Sequence, residues 1–171
     1  MLVVGVLAFL FMYRDHMFLK KDQPEVTPYH QKLLIQTVKL AKQGRLEPSK
    51  DFPIGSTTKE IVAKWGKPDN GTDQLSWNYP KHHTVFHMDP IDVDKVDNIF
   101  TDAPVYSGLT VHVIRMVLGM PNNDSYSNEN QLYSMEYQIS NGYTIIFYFH
   151  FNPNGKLGKF MGLQLTFSPD F

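Results

Sequence analysis

The chain has no cysteine. Disulfides, thiolate metal sites and lipid attachment through an N-terminal cysteine are therefore excluded, and the redox compartment is left open. Charge is sparse too: the formal net charge is −1, charged residues make up 19%, and no basic block occurs. That removes the electrostatic footprint of a nucleic-acid binder. A Gly-x-Ser-x-Gly elbow is missing, and Gly55 and Gly108 stand at helix starts without the lysine pattern of a phosphate loop. No catalytic constellation is legible, no cofactor is expected, and a non-enzyme is the expectation.

Long hydrophobic runs are limited to one. Leu2 to Tyr13 is unbroken apolar, but as a helix it spans only about 18 Å against a hydrocarbon core of roughly 30 Å. Arg14, Asp15 and His16 interrupt it before Met17-Phe18-Leu19. It lacks the positive start and small-residue cleavage site of a signal peptide. Residues 1–21 are read as the C-terminal part of a membrane anchor whose upstream end is missing or very short. A buried helix or strand of the domain is the alternative. Residues 22–28, with Pro24, form a linker.

What is present suits a folded body. The chain has 171 residues, 42% of them hydrophobic, which is enough for one domain with a proper core. Twelve phenylalanines and nine tyrosines are many for this length and gather in the last third.

Within the domain, two stretches echo each other. Gly55, Thr57, Ile61, Trp65, Gly66 and Pro68 are matched by Gly108, Thr110, Ile114, Leu118, Gly119 and Pro121. The interval is a constant 53 residues, from Thr57 to Thr110 and from Gly66 to Gly119. Such self-similarity marks a repeated supersecondary unit. Thr57 with Glu60 forms a capping box, Ile61 and Trp65 an apolar stripe, Gly66 a left-handed stop, and Pro68 a block to resumption. Val113 stands where the acid stood, so the second cap is weaker.

Alternating strands follow each Gly-x-Pro. Leu75, Trp77 and Tyr79 mark the first, then Thr84–Met88 and Val96–Thr101. The second set is Leu132–Ile139, Tyr143–Phe151 and Phe160–Phe167, with Asn141-Gly142 as a hairpin turn and Asn152-Pro153-Asn154-Gly155 in the next loop. Asn122 to Asn130 reads as a polar loop. A further helix opens at Thr27-Pro28, buries Leu33, Leu34, Thr37, Val38 and Ala41, and stops at Gly44. The fold expected is one α+β domain over 29–171. It is a tandem duplication of helix plus three-stranded antiparallel meander, at about 54–103 and 107–168, sharing one core with an extra N-terminal helix.

Ala41-Lys42-Gln43-Gly44, Phe52-Pro53-Ile54-Gly55, Trp65-Gly66-Lys67-Pro68-Asp69 and Leu118-Gly119-Met120-Pro121 resemble the YjgB-like family. The resemblance covers roughly Tyr29 to Pro169. It implies an extracellular or membrane-associated protein of Gram-positive spore-forming bacteria, with no known biochemical function. In architecture the duplication is similar to the β-lactamase inhibitor protein and to small outer-membrane assembly lipoproteins, which bind other proteins.

Candidate chemistry lies where the two units differ. His82, His83 and His87 surround one strand, and His83 and His87 share a face of an extended chain. They offer two imidazoles to zinc or copper, with a third ligand still needed; solvent-facing strand residues are the plainer reading. Asp89, Asp92, Asp94 and Asp97 offer oxygens to calcium but lack the glycine and glutamate of an EF-hand, so a solvated loop is preferred. A metal- or ligand-dependent enzyme using this His83/His87 and Asp89–Asp97 region is the rival reading. His112 and His150 have no visible partner.

In Tyr143–Phe151, Tyr143, Ile145, Phe147, Phe149 and Phe151 line one face for the core. Ile146, Tyr148 and His150 line the other, which is more apolar than a solvated face needs. These three residues, with Tyr126 in the neighbouring loop, are the candidate binding surface for another protein or a cell-wall component. The expected setting is the cell membrane with the domain outside the cytoplasm, or secretion as the alternative.

Overall fold

Residues 25–69, 74–140, 142–151 and 157–168 are described by the structure, a computed structural model. The anchor expected at 1–21, linker residues 22–24, Asn141 and the Asn152–Gly155 loop lie outside the described residues. Among the described residues, no helix is long and apolar enough to cross a membrane.

Helix α1, Pro28–Ala41, starts on Thr27, whose hydroxyl accepts from the His30 N–H while His30 Nδ1 accepts from the Thr27 N–H. Histidine therefore closes a capping box that usually takes glutamate. Leu34, Thr37 and Ala41 are buried, with Leu33 and Val38 packed beside them. Gly44 takes φ +71°, and its missing side chain leaves room for the Tyr143 hydroxyl 2.9 Å from where a Cβ would stand.

Helix α2, Thr58–Trp65, carries the expected box: Glu60 Oε2 accepts from the Thr57 N–H at 2.7 Å, and the Glu60 N–H donates to Thr57 Oγ1 at 3.3 Å. Helix α3, Val111–Leu118, has only the single cap from Thr110 to the Val113 N–H at 3.2 Å. Gly66 and Gly119 end these helices at φ 81°, ψ −169° and φ 84°, ψ −164°. The positive φ was expected, but ψ is extended rather than left-handed helical. Each glycine turns the chain out of the helix two residues ahead of the proline.

The strands are β1 (Ser76–Tyr79), β2 (Thr84–Met88), β3 (Val96–Thr101), β4 (Asn123–Ser127), β5 (Leu132–Ser140), β6 (Tyr143–Phe151) and β7 (Leu157–Phe167). They form one antiparallel sheet in the order β1-β2-β3-β7-β6-β5-β4. This is an α+β protein with a seven-stranded sheet. The expected polar loop Asn122–Asn130 is in fact strand β4 plus a turn. Its sequence carries no apolar alternation, and it becomes a strand by pairing along β5 from Asn123–Glu136 to Ser127–Leu132.

Two contacts after the helix-ending glycines take the same form. Tyr79 donates its hydroxyl to the Gly66 carbonyl at 2.8 Å, and Tyr137 donates to the Gly119 carbonyl at 3.0 Å. Just after each proline, the Asp69 N–H reaches the Asn78 carbonyl and the Asn122 N–H reaches the Glu136 carbonyl. Burial pushes both phenols up to about 12, so each stays a neutral donor. The halves join where β3 meets β7, with Ile99 opposite Leu165, Phe100 opposite Gln164 and Thr101 opposite Leu163. Ile61 and Ile114, both fully buried, press from the helices onto the core that contains Phe86, Ile99, Ile145, Phe147, Leu163 and Leu165.

Candidate functional site

Among the described residues, the three α-helices bury Leu34, Ile61 and Ile114 in the same core as Phe86, Ile99 and Ile145 of the sheet, so strand residues of the opposite parity face away from that core. One lateral row crosses all seven strands on that bare face: Asn78, Val85, Phe100, Gln164, Ile146, Glu136 and Asn123. Val85, Phe100 and Ile146 are its apolar members, Gln164 lies between the last two, and its ends are polar. Tyr148 stands one step along β6, opposite Gly162, and His150 one step further, opposite Leu132.

Gly162 organises the centre of this face. A Cβ there would lie 2.8 Å from the Thr101 carbonyl oxygen and 2.7 Å from Phe100 Cε2, closer than a side chain can stand. Phe100 can therefore pack over β7 only because the strand has no side chain at that point. Tyr148 meets it with ring centroids 6.4 Å apart, tilted by 48°. The Tyr148 hydroxyl donates to Gln164 Oε1 at 2.8 Å. Burial, then the nearby Glu136 charge, holds this phenol above its ordinary pKa. Phe100, Ile146 and Tyr148 are half-buried, and His150 is exposed.

Three of the four candidate residues thus share the bare face. Tyr126 does not, which corrects the expectation. It lies in β4 opposite Tyr133, on the helix side, with its ring 4.5 Å from Tyr133 and 5.7 Å from Phe151. Strand parity, hidden while the segment reads as a loop, sends it there. Tyr133 itself closes a small network: Arg115 Nη2 donates to Asp124 Oδ2 at 2.9 Å and to Tyr133 Oη at 2.8 Å, and Tyr133 donates to Asp124 at 2.8 Å. Burial and the acceptor Asp124 raise the Tyr133 pKa.

The histidines do not converge. His83 caps the short Pro80–His82 turn at φ 50°, so the chain is not extended there and the shared face with His87 is lost. Its Nδ1 sits 3.1 Å from Asp102 Oδ1. His82 stacks on Trp65, rings 3.8 Å apart and 7° from parallel. His87 lies in β2 opposite Asn98 on the bare face.

The acidic loop diverges likewise. Asp89 Oδ1 accepts from the Ile91 and Asp92 N–H groups, Asp92 pairs with Lys95 at 2.8 Å, and Asp94 Oδ1 accepts from Thr58 Oγ1 at 3.2 Å. Asp97 keeps its proton more readily than usual because of burial first and the Asp89 charge second. Among the described residues, no group of three or more His, Asp or Glu is gathered to hold a metal ion.

Sequence reasoning passed over Phe100, Gly162 and Gln164. Phe100 carried the same signal as Ile146, an apolar residue at an outward strand position. A glycine inside a strand signals close approach, although not by what.

One antiparallel sheet with helices on a single side and a partly apolar opposite face defines the class of protein. The chain belongs to the DUF4309 family, a domain of unknown function, matched over residues 34–163. The YjgB-like resemblance carried by Trp65-Gly66-Lys67-Pro68-Asp69 is thereby borne out. The fold is similar to the crystal structure of YjgB, a DUF4309 family protein from Bacillus subtilis, with a TM-score of 0.64 and 15% identity, covering 83% of this chain and 100% of that one. At that identity the likeness shows a shared fold. An extracellular protein containing an SCP domain from Bacillus anthracis aligns at a TM-score of 0.40 and 11% identity, over 88% of this chain and 50% of that one. No curated protein matches the sequence.

Proposed function

We propose that this is a non-catalytic binding or assembly protein, tethered to the membrane by its N-terminal segment with the domain outside the cytoplasm. It recognises another protein or a cell-wall component through the bare face of the sheet. The observation that carries this reading is the Phe100–Tyr148 pair with Ile146 beside it, on a face the helices leave uncovered. Apolar groups concentrated on one uncovered face favour a partner over water. Gln164 between them adds a polar group at the centre, and Glu136 and His150 supply the polar rim that gives such a surface its specificity.

We also read the domain as a tandem duplication of a helix–meander unit, with β4 added to the second. The paired Tyr79–Gly66 and Tyr137–Gly119 bonds, the matching glycine torsions and the β3–β7 register support that reading.

The test is capture from membrane and wall fractions of Bacillus cells by the immobilised full chain. Ile146→Glu should abolish capture while leaving the melting temperature within a degree or so, since the side chain is only half-buried. Loss of capture with Met116→Glu on helix α3, and retention with Ile146→Glu, would contradict the proposal.

A further inference from the structure

The loop joining β2 to β3 holds an isoleucine out in water. Ile91 is 95% exposed, and Val93 beside it is 44% exposed. Turns favour glycine, proline and short polar residues, and aliphatic side chains there gain by being covered. The loop is firmly built. Asp89 Oδ1 accepts from the Ile91 N–H at 2.7 Å and the Asp92 N–H at 3.2 Å. The Asp89 N–H donates to the Lys95 carbonyl and the Lys95 N–H to the Asp92 carbonyl, both at 2.8 Å. Thr58, at the start of α2, donates its N–H to the Asp94 carbonyl at 2.8 Å. A backbone already ordered in this way lowers the cost of docking the two side chains.

A recess that suits them lies elsewhere on the chain. A groove of about 440 Å³ runs between α1 and the short turn Pro104–Tyr106. Tyr29, Leu33, Leu40 and Val105 give it apolar walls, and Tyr29 and Val105 are exposed. Charge matches the two surfaces. Residues 89–97 carry four aspartates against one lysine. Helix α1 carries Lys32 and Lys39 and no acid, and Lys32 lines the groove. Glu47, the acid in the lining, is already met by Lys50 Nζ at 3.2 Å. An acidic loop with an aliphatic tip is therefore complementary to a basic helix beside an apolar groove, and the same loop repels an anionic lipid surface.

We propose that Ile91 and Val93 of one copy of this chain dock into the α1 groove of a second copy, with Lys32 facing the loop aspartates. Knob and recess are different patches, so the contact is heterologous and repeats into rings or open chains. It uses none of Phe100, Ile146 and Tyr148 and stands independently of the binding face proposed above.

The experiment is sedimentation equilibrium of the full chain at rising concentration. The average mass should climb past that of a dimer. Ile91→Asp, which spoils the knob, and Leu33→Trp, which fills the recess, should each stay monomeric. Mixed together, they should form a one-to-one dimer and nothing larger, because one intact knob and one intact recess remain. That recovery also shows that both variants fold. Lys32→Glu, at an exposed position, should weaken association several-fold. A full chain that stays monomeric at millimolar concentration, association that survives both Ile91→Asp and Leu33→Trp, or a mixture that stays monomeric would each overturn the proposal.

Discussion

In the first half of the domain, a helix of eight residues feeds strands of four, five and six residues. In the second, a helix of the same length feeds β5, β6 and β7, with nine, nine and eleven. The joints are alike: a threonine cap, a buried isoleucine, a positive-φ glycine, a proline and a tyrosine that bonds back to the glycine carbonyl. The differences lie beyond the joints. The first half packs Trp65 against Phe52, Tyr79, His82 and Phe86, whereas Leu118 occupies the matching place in the second. The second half carries the longer strands, the edge strand β4 and both Tyr148 and Ile146. Shared residues therefore hold the scaffold, and the bare face draws its apolar centre from where the halves meet.

The largest test of this equivalence is the core. Ile61→Ala and Ile114→Ala should each lose about 3 kcal/mol in denaturant unfolding, because both remove a fully buried side chain under the same sheet. A wide gap between the two losses would break the comparison. Next comes the seam. Gly162→Ala should lose about 2 kcal/mol, since the new methyl displaces Phe100 and crowds the Thr101 carbonyl. Near-wild-type unfolding would mean that Phe100 is free to move.

Smaller and sharper is the tyrosine pair. Tyr79→Phe and Tyr137→Phe should each lose about 1 kcal/mol, the net worth of one hydrogen bond. Their raised pKa also gives a sign: the folded state holds the phenolic proton more tightly than the unfolded state. Stability is then fully present below the unfolded value of 10.0 and is lost as pH rises toward about 12. The double Phe variant should lessen the alkaline decline, leaving the share due to Tyr133 and Tyr148; an unchanged decline counts against it.

The smallest effect concerns the caps. Thr57→Ala should lose about 1 kcal/mol and Thr110→Ala a few tenths less, because only Thr57 has a reciprocal glutamate. Glu60 is held below its ordinary pKa by the Thr57 N–H and hydroxyl. The first cap should therefore weaken as pH falls through the carboxylate range, while the second does not. Equal acid sensitivity of the two helices, followed by hydrogen exchange, would remove this distinction.

Much of the scaffold was legible in the sequence, because its signals are local. Thr57, Glu60, Gly66 and Thr110, Gly119 fix helix limits through their own backbone groups. The alternation in Tyr143–Phe151 gave that strand its full extent. What was hidden depends on neighbours distant in sequence. Strand β4 has one aromatic residue and forms through β5, so neither its existence nor the face of Tyr126 could be read from Asn122–Asn130. His83 escaped the strand pattern through one residue of positive φ. Phe100 was visible as outward and apolar, but its seat on Gly162 exists only once β3 and β7 pair.

The most direct test is photo-crosslinking in Bacillus cells from the full chain, with a photoreactive residue at position 148 or, on helix α3, at position 116. Position 148 should yield one discrete adduct that Ile146→Glu abolishes, and position 116 should yield none. Adducts of equal yield from both positions, or none from position 148, would contradict the assignment of the bare sheet face as the binding surface.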